Sequence, residues 1–368
     1  MSRVPWWGYV LILAGSAGLA LALTPVARTV AIRFGVLDHP RGYKQQTEAV
    51  PYLGGAAIVV AFAGVVLAAA LLRPPVSDLG ELVGIMGLAV GLSLIGLVDD
   101  IKGLGPWTRL GLQTAAAVGI IGLGVQVEMF DVAWLNIVFT LFWIVGVTNA
   151  FNLLDNMDGL SSGVTAVAAG WFLIIAAVNG QFLVASLSAA LAGCALGFSW
   201  HNFHPARIYM GDAGSLFFGF LLAVLGIKLR FAGPNEVTFF VPILVVGVAI
   251  FDTVLVTITR LIHGKKVLSG GRDHMSHRLV FVGIPVPAAV ALMYGAALAS
   301  GWLALVMSRI DRTSGFLLMG FVLAVVGFIG TLLGRLPVYE TSGRRVMLRE
   351  VADHHEPTPT SLENKISG

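Results

Sequence analysis

Asp155 and Asp158 stand three residues apart in the stretch Asn149-Ala-Phe-Asn152-Leu-Leu-Asp155-Asn156-Met-Asp158-Gly159-Leu160. That spacing puts both carboxylates on one face if the segment is helical. Apolar runs flank the stretch, so its acids and carboxamides sit at the mouth of two membrane helices. Acids at a membrane boundary are costly unless they pair, bind a metal or face water. The plainer alternative is a polar connecting loop, with Asp158-Gly159 as turn residues. The pattern recurs, however. Asp99-Asp100 closes an earlier apolar run, where adjacent carboxylates repel and a helix C-terminus prefers positive charge. Asp100 pairing with Lys102 at the surface is the structural alternative; a divalent metal explains the placement better. Asp212, in Met210-Gly211-Asp212-Ala213-Gly214-Ser215, falls just before another run, where it could serve only as a helix N-cap.

A basic counterpart follows between His263 and Leu279, with Lys265, Lys266, Arg272, His274, His277 and Arg278 among glycines and no cysteine. Arg and Lys suit phosphate oxygens, and the missing thiols argue against zinc. Carboxylates on one hand and Lys, Arg and His on the other point to Mg²⁺ with a phosphorylated substrate, since Mg²⁺ is commonly held by one or two carboxylates plus phosphate. Mn²⁺ is the alternative ion. Such an enzyme would take a nucleotide-activated donor from water and its acceptor from the lipid.

The elements that must position these groups are membrane helices. Hydrophobic residues make up 57% of the 368 residues and charged ones 12%, a balance that excludes a soluble domain. The fold class is therefore an all-α polytopic integral membrane protein. Apolar runs give about eleven transmembrane helices: Trp6–Val26, Gly55–Leu72, Leu82–Val98, Trp107–Val125, Val132–Val147, Val164–Val178, Phe182–Trp200, Ser215–Ile227, Val237–Leu261, Pro285–Met307 and Gly315–Leu333. The first reads as a retained helix, lacking a clear small-residue cleavage site. Most of the 23 lysines and arginines fall on one set of loops, which by the positive-inside rule puts the N-terminus outside and the C-terminus in the cytoplasm. All three acidic clusters and the basic loop then share the cytoplasmic face. Residues 1–336 form the membrane domain, and 337–368 a polar tail read as disordered. Cys194, the one cysteine, reads as a small buried filler.

In this order and on this face the motifs resemble the polyprenyl-phosphate N-acetylhexosamine-1-phosphate transferases. The resemblance runs from Asp38 to Leu279. It rests on Asp38-x-Pro40 with Pro51-x-Leu53-Gly54-Gly55, Asp99-Asp100, Asn152-x-x-Asp155-x-x-Asp158-Gly159, Asn202 with Met210-Gly211-Asp212-x-Gly214-Ser215, and His274-x-x-His277-Arg278-Leu279. It implies transfer of N-acetylhexosamine-1-phosphate, GlcNAc-1-phosphate first in order, from a UDP-sugar to polyprenyl phosphate with Mg²⁺, releasing UMP and starting a cell-envelope polymer such as lipopolysaccharide or teichoic acid. By position, Asp212 would bind the metal, and Asp99 and Asp100 would lie near it and the lipid phosphate. Asp99 is the candidate base or nucleophile. Asn152, Asp155 and Asp158 would line the nucleotide and catalytic pocket. Asn202 would touch the uridine, and Tyr209 would stack on the uracil. Lys44 matches a basic residue of the first loop, and His274, His277 and Arg278 would hold the diphosphate or sugar.

Two departures bear on the sugar more than on the reaction. The first loop reads Tyr43-Lys44-Gln45-Gln46 where many polymer-initiating members carry Arg-Lys-x-His, and Ser276 replaces the middle histidine of His-x-His-His. The run of adjacent histidines typical of the phospho-N-acetylmuramoyl-pentapeptide transferases is absent, which ranks that substrate lower. The family also implies a bacterial inner membrane, lipid and UDP-sugar as partners, no nucleic acid, and a homodimer. The competing class is a cation-coupled transporter, in which intramembrane acids mark an ion path. Against it, the acids gather at one face instead of the midplane, and no inverted repeat is visible.

Overall fold

The computed structural model describes residues 5–38, 49–72, 79–231, 235–267 and 270–339. Lys44, and the tail from residue 340, lie outside them. The described residues are helical almost throughout. In order come α1 (Trp6–Arg33), a ribbon of β1 (Leu37–Asp38) and β2 (Val50–Pro51), α2 (Gly54–Leu72), α3 (Leu79–Lys102), α4 (Pro106–Gly122), α5 (Ala133–Leu154), α6 (Leu160–Val178), α7 (Phe182–Asn202) and α8 (Gly211–Lys228). Then follow α9 (Asn235–Thr238), α10 (Phe240–Val245), α11 (Gly247–Ile262), α12 (Met275–Phe281), α13 (Val286–Met307) and α14 (Arg312–Gly334).

Among the described residues nine helices are long and apolar enough to cross a membrane: α1, α2, α3, α5, α6, α7, α8, α13 and α14. The other two expected spans are present in altered form. One is α4, of 17 residues. The other, expected as one helix over Val237–Leu261, is broken into α9, α10 and α11. Pro242 lies in the middle piece and lacks an N–H for the helical ladder. At the second break the Ser300 hydroxyl donates to the Leu244 carbonyl at 2.6 Å, satisfying a group that lipid would leave bare.

α8 is the central element, with 83% of its span buried, against 78% for α7 and 6% for α14. Its neighbours come close through missing side chains. A Cβ at Gly96 of α3 would meet the Asp212 backbone, and one at Gly55 of α2 would meet that of Gly214. Small residues of this kind let membrane helices pack backbone to backbone. The β1–β2 ribbon, an element the apolar pattern does not announce, pairs Leu37 with Pro51 and Asp38 with Val50. It continues into the approach to α8: Tyr209 N–H donates to Pro51 O at 2.8 Å, and Gly54 and Gly55 N–H donate to the Tyr209 and Met210 carbonyls. The first loop is thereby pinned to the segment that carries Asp212.

Candidate active site

The site is built on the first turn of α8. Gly211 adopts φ +68°, the left-handed region open to glycine, and any side chain there would strike the Asp100 carboxylate. Asp100 Oδ1 accepts from the Asp212 N–H at 2.9 Å and Oδ2 from the Ala213 N–H at 3.2 Å. The end of α3 thus caps α8 with an anion, where the helix dipole favours one. Asp212 is accordingly not the cap of its own helix; its side chain points to neighbours. Oδ1 accepts from Asn152 Nδ2 at 2.8 Å and Oδ2 from Arg109 Nη1 at 2.8 Å. The same Arg109 nitrogen lies 2.9 Å from Asp99 Oδ2, and Asp99 Oδ1 accepts from the Leu104 N–H at 2.5 Å. The cation that balances the Asp99-Asp100 pair is therefore Arg109, not Lys102. Asn152 also donates to Ser215 Oγ at 2.9 Å, tying α5 to α8.

Asp155 ends α5 just beyond its last turn. Half-buried, it makes no side-chain hydrogen bond with any described residue. Burial first, then the charges of Asp212, Asp100 and Asp158, push its carboxyl up to about 8. Asp158 is better served: Oδ2 accepts from His204 Nδ1 at 2.8 Å and from the Ala206 N–H at 3.0 Å. Tyr209 is half-buried near these acids. Burial, then Asp158, Asp38 and Asp155, raise its phenol above the ordinary value. Asn202 is 2% exposed. Its Oδ1 accepts from the Gly159 N–H and Ser162 Oγ, and its Nδ2 donates to Ile208 O. It ties the two loops together from beneath, where direct contact with uridine was expected.

The basic loop is held by a buried hydrogen-bonded pair and a buried ion pair that sequence reasoning missed. Asp252, buried in α11, accepts from His274 Nδ1 at 2.7 Å. Arg260 grips Asp273 through Nε and Nη2, both at 2.7 Å, and Tyr339 donates to Asp273 Oδ2 at 2.7 Å. Burial works to raise Asp273, but Arg260 and Tyr339 outweigh it and hold the carboxyl below the usual range. His277 is half-buried, and burial, with His274 and Arg272 adding, lowers it to about 4. That shift favours the neutral ring at pH 7. The expected phosphate contact at Arg278 is corrected. That side chain is fully buried, donating to Asp273 O, Leu333 O and Thr259 Oγ1, and it lies over the Tyr339 ring. The basic loop meets the acidic one where Ser276 Oγ donates to Asn156 Oδ1 at 2.6 Å.

Asp252 carried a legible signal, an acid inside an apolar run. Arg109 had none beyond its charge.

Among the described residues the donor set around α8 is all oxygen and carries more carboxylates than Arg109 alone can balance, a set that would suit a hard divalent cation. Among the described residues no three carboxylates or histidines form a ready-made cage, so an ion here would complete its shell from phosphate and water.

Comparison with known proteins gives the family. The glycosyl transferase family 4 model matches residues 82–230. A probable undecaprenyl-phosphate N-acetylglucosaminyl 1-phosphate transferase of Bacillus subtilis is 30% identical over 74% of this chain and 78% of its own length. A decaprenyl-phosphate N-acetylglucosaminephosphotransferase of Mycolicibacterium smegmatis is 31% identical over 79% and 80%. The phospho-N-acetylmuramoyl-pentapeptide-transferase of Bacillus mycoides matches a shorter part, 60% of this chain at 32% identity. With its acids gathered around the start of α8 and its similarity running through most of the membrane domain, the chain belongs to glycosyl transferase family 4.

Proposed function

We propose that this protein transfers N-acetylglucosamine-1-phosphate from UDP-N-acetylglucosamine to a polyprenyl phosphate at the cytoplasmic face of a bacterial inner membrane, releasing UMP and starting a cell-envelope polysaccharide. The observation that carries this is the convergence of Asp99, Asp100, Asp155 and Asp212, with Arg109 among them, on the half-buried start of α8. A transporter would want such acids along a path through the membrane; here they crowd one end of the helices.

An oxygen of the lipid phosphate attacks the donor's β-phosphorus. The bond from that phosphorus to the bridging oxygen breaks, and the oxygen leaves with UMP. The product is a polyprenyl diphosphate carrying the sugar. A phosphate monoester has its second pKa at about 6, so the nucleophile is ionised at pH 7. Asp99 supports direct attack over a covalent aspartyl-phosphate. It is buried and both its oxygens are engaged, by Leu104 and Arg109, so neither is poised for bond formation.

Asp212 and Asp100 would hold Mg²⁺, or Mn²⁺ in its place, with phosphate and water completing the shell and the charge of Asp155 nearby. When bound, the ion offsets negative charge on the diphosphate. Asn152 orients Asp212, and Arg109 keeps Asp99 and Asp212 apart from full repulsion. Tyr209, beside Asp158, offers a face for the uracil, with Asn202 fixing the loops beneath. His274 and His277 meet the diphosphate or sugar. Arg278 positions their loop from within, and Lys44 serves the lipid phosphate.

The test is UMP release by detergent-purified protein given UDP-N-acetylglucosamine and undecaprenyl phosphate, with and without Mg²⁺. Lipid- and Mg²⁺-dependent release, lost in a folded Asp212→Asn variant, is the expected result. Turnover with a different UDP-amino sugar alone corrects the donor; no turnover with any donor ends the reading.

A further inference from the structure

Asp252 has no part in the mechanism above, yet it is 1% exposed inside α11. A buried acid persists in a membrane helix only when its oxygens are satisfied. Oδ2 accepts from His274 Nδ1 at 2.7 Å, and Oδ1 accepts from the Met275 N–H at 2.6 Å. An ionised carboxylate only accepts, so the pair places a proton on Nδ1 of His274. The other ring nitrogen, Nε2, has no partner among the described residues. Two residues on, buried Ser276 ties the same short helix to Asn156, which stands between Asp155 and Asp158. His274 is thereby held in one cluster with the acidic loop.

We propose that Asp252 is a positioning residue for the phosphosugar transfer, acting through His274: it fixes the imidazole with its hydrogen on Nδ1 and leaves the Nε2 lone pair to accept a hydrogen bond from a hydroxyl or N-acetyl N–H of the donor sugar. This rests on the transferase reading. The second hydrogen bond makes it testable by an almost isosteric change. In Asp252→Asn the Met275 N–H still requires an acceptor, so the carboxamide oxygen turns there and the NH₂ faces Nδ1. That nitrogen must then accept, and the proton moves to Nε2. The same substitution in the serine-protease triad leaves the geometry intact and costs about 10⁴ in kcat through the wrong tautomer.

The experiment is ¹⁵N NMR of histidine-labelled full-length protein in nanodiscs, with the His274 signal assigned by its loss in His274→Gln, alongside UMP-release kinetics. The wild type should show the proton on Nδ1 and Asp252→Asn on Nε2. The variant's kcat should fall by about 10- to 100-fold, the range seen for partners that orient metal-ligating histidines, with the donor KM nearly unchanged. In a His274→Gln background Asp252→Asn should cost nothing further, because residues acting as one unit are not additive. A wild-type proton on Nε2, an inverted tautomer with undiminished kcat, or an Asp252→Asn penalty that persists without His274 overturns the proposal. The wild-type spectrum decides even if the variant fails to fold. Full activity in His274→Gln overturns the proposal while leaving the transferase standing; wild type that turns over no UDP-amino sugar overturns both.

Discussion

Asp155 and Asp273 sit on neighbouring loops, both drawn out of bulk water, and burial leaves them in opposite states. Asp155 faces other carboxylates and has no hydrogen-bonding partner among the described residues, and its carboxyl is pushed up to about 8. Asp273 is clasped by Arg260 and Tyr339, which hold its carboxyl below the ordinary range despite burial. The difference separates two uses of buried charge. Around Asp273 the charges are matched inside the protein, and the result is a rigid loop. Around Asp155 they are left unmatched, and the missing positive charge must come from outside. A site that has to bind an ion and a diphosphate, then release a product, needs the second kind, held in place by the first.

The sharpest way to test that contrast is Asp155→Asn. Losing one electrostatic contact to the reacting groups should lower kcat by about 10²–10³-fold. The melting temperature in detergent should hold or rise, since the change relieves repulsion instead of breaking a pair. A variant that loses stability together with activity would erase the distinction. Asp273→Ala probes the other side. It takes the balancing carboxylate from Arg260, whose side chain is 3% exposed, and removal of one partner from a buried pair costs about 3–5 kcal/mol. Thermal unfolding should show that loss directly, and an unshifted melt would mean the clasp carries no stability.

The smallest effect concerns His277. Its folded value of about 4 lies below the unfolded value of 6.5, so the neutral ring favours the folded state. That contribution is complete above the unfolded value and is lost as pH falls from there through about 4. The melting temperature should drop across that window, and His277→Gln should flatten part of the drop. Parallel pH curves for the two proteins would count against it.

Much of this was legible in the chain. Apolar runs marked nine helices and the place of the two altered spans, because lipid imposes one length scale on every crossing. The acids were legible because charge at a membrane boundary demands a reason. What was hidden is pairing over long sequence distance. Nothing local in Arg109 says it will bridge Asp99 and Asp212, and nothing in Arg278 says its guanidinium will be spent on Leu333 and Thr259. Arg and Lys near membranes serve topology, lipid and structure alike, so their type alone cannot separate a substrate contact from an internal strut. The Val237–Leu261 run showed its Pro242 but not that it would break into three, since that depends on Ser300 arriving from α13 to take a carbonyl.

Tyr339 bears on where the chain can be cut. The polar segment was expected to begin at residue 337, yet two residues later a phenol hydroxyl reaches Asp273, its ring stacks near His263, and the Arg278 guanidinium lies over it. A truncation at 336 would therefore remove more than appended sequence: it would pull a pin from the loop that carries His274. Any shortened form meant for crystallisation or assay should end beyond Tyr339, and one that ends before it would be read wrongly as evidence that the tail itself takes part in the reaction.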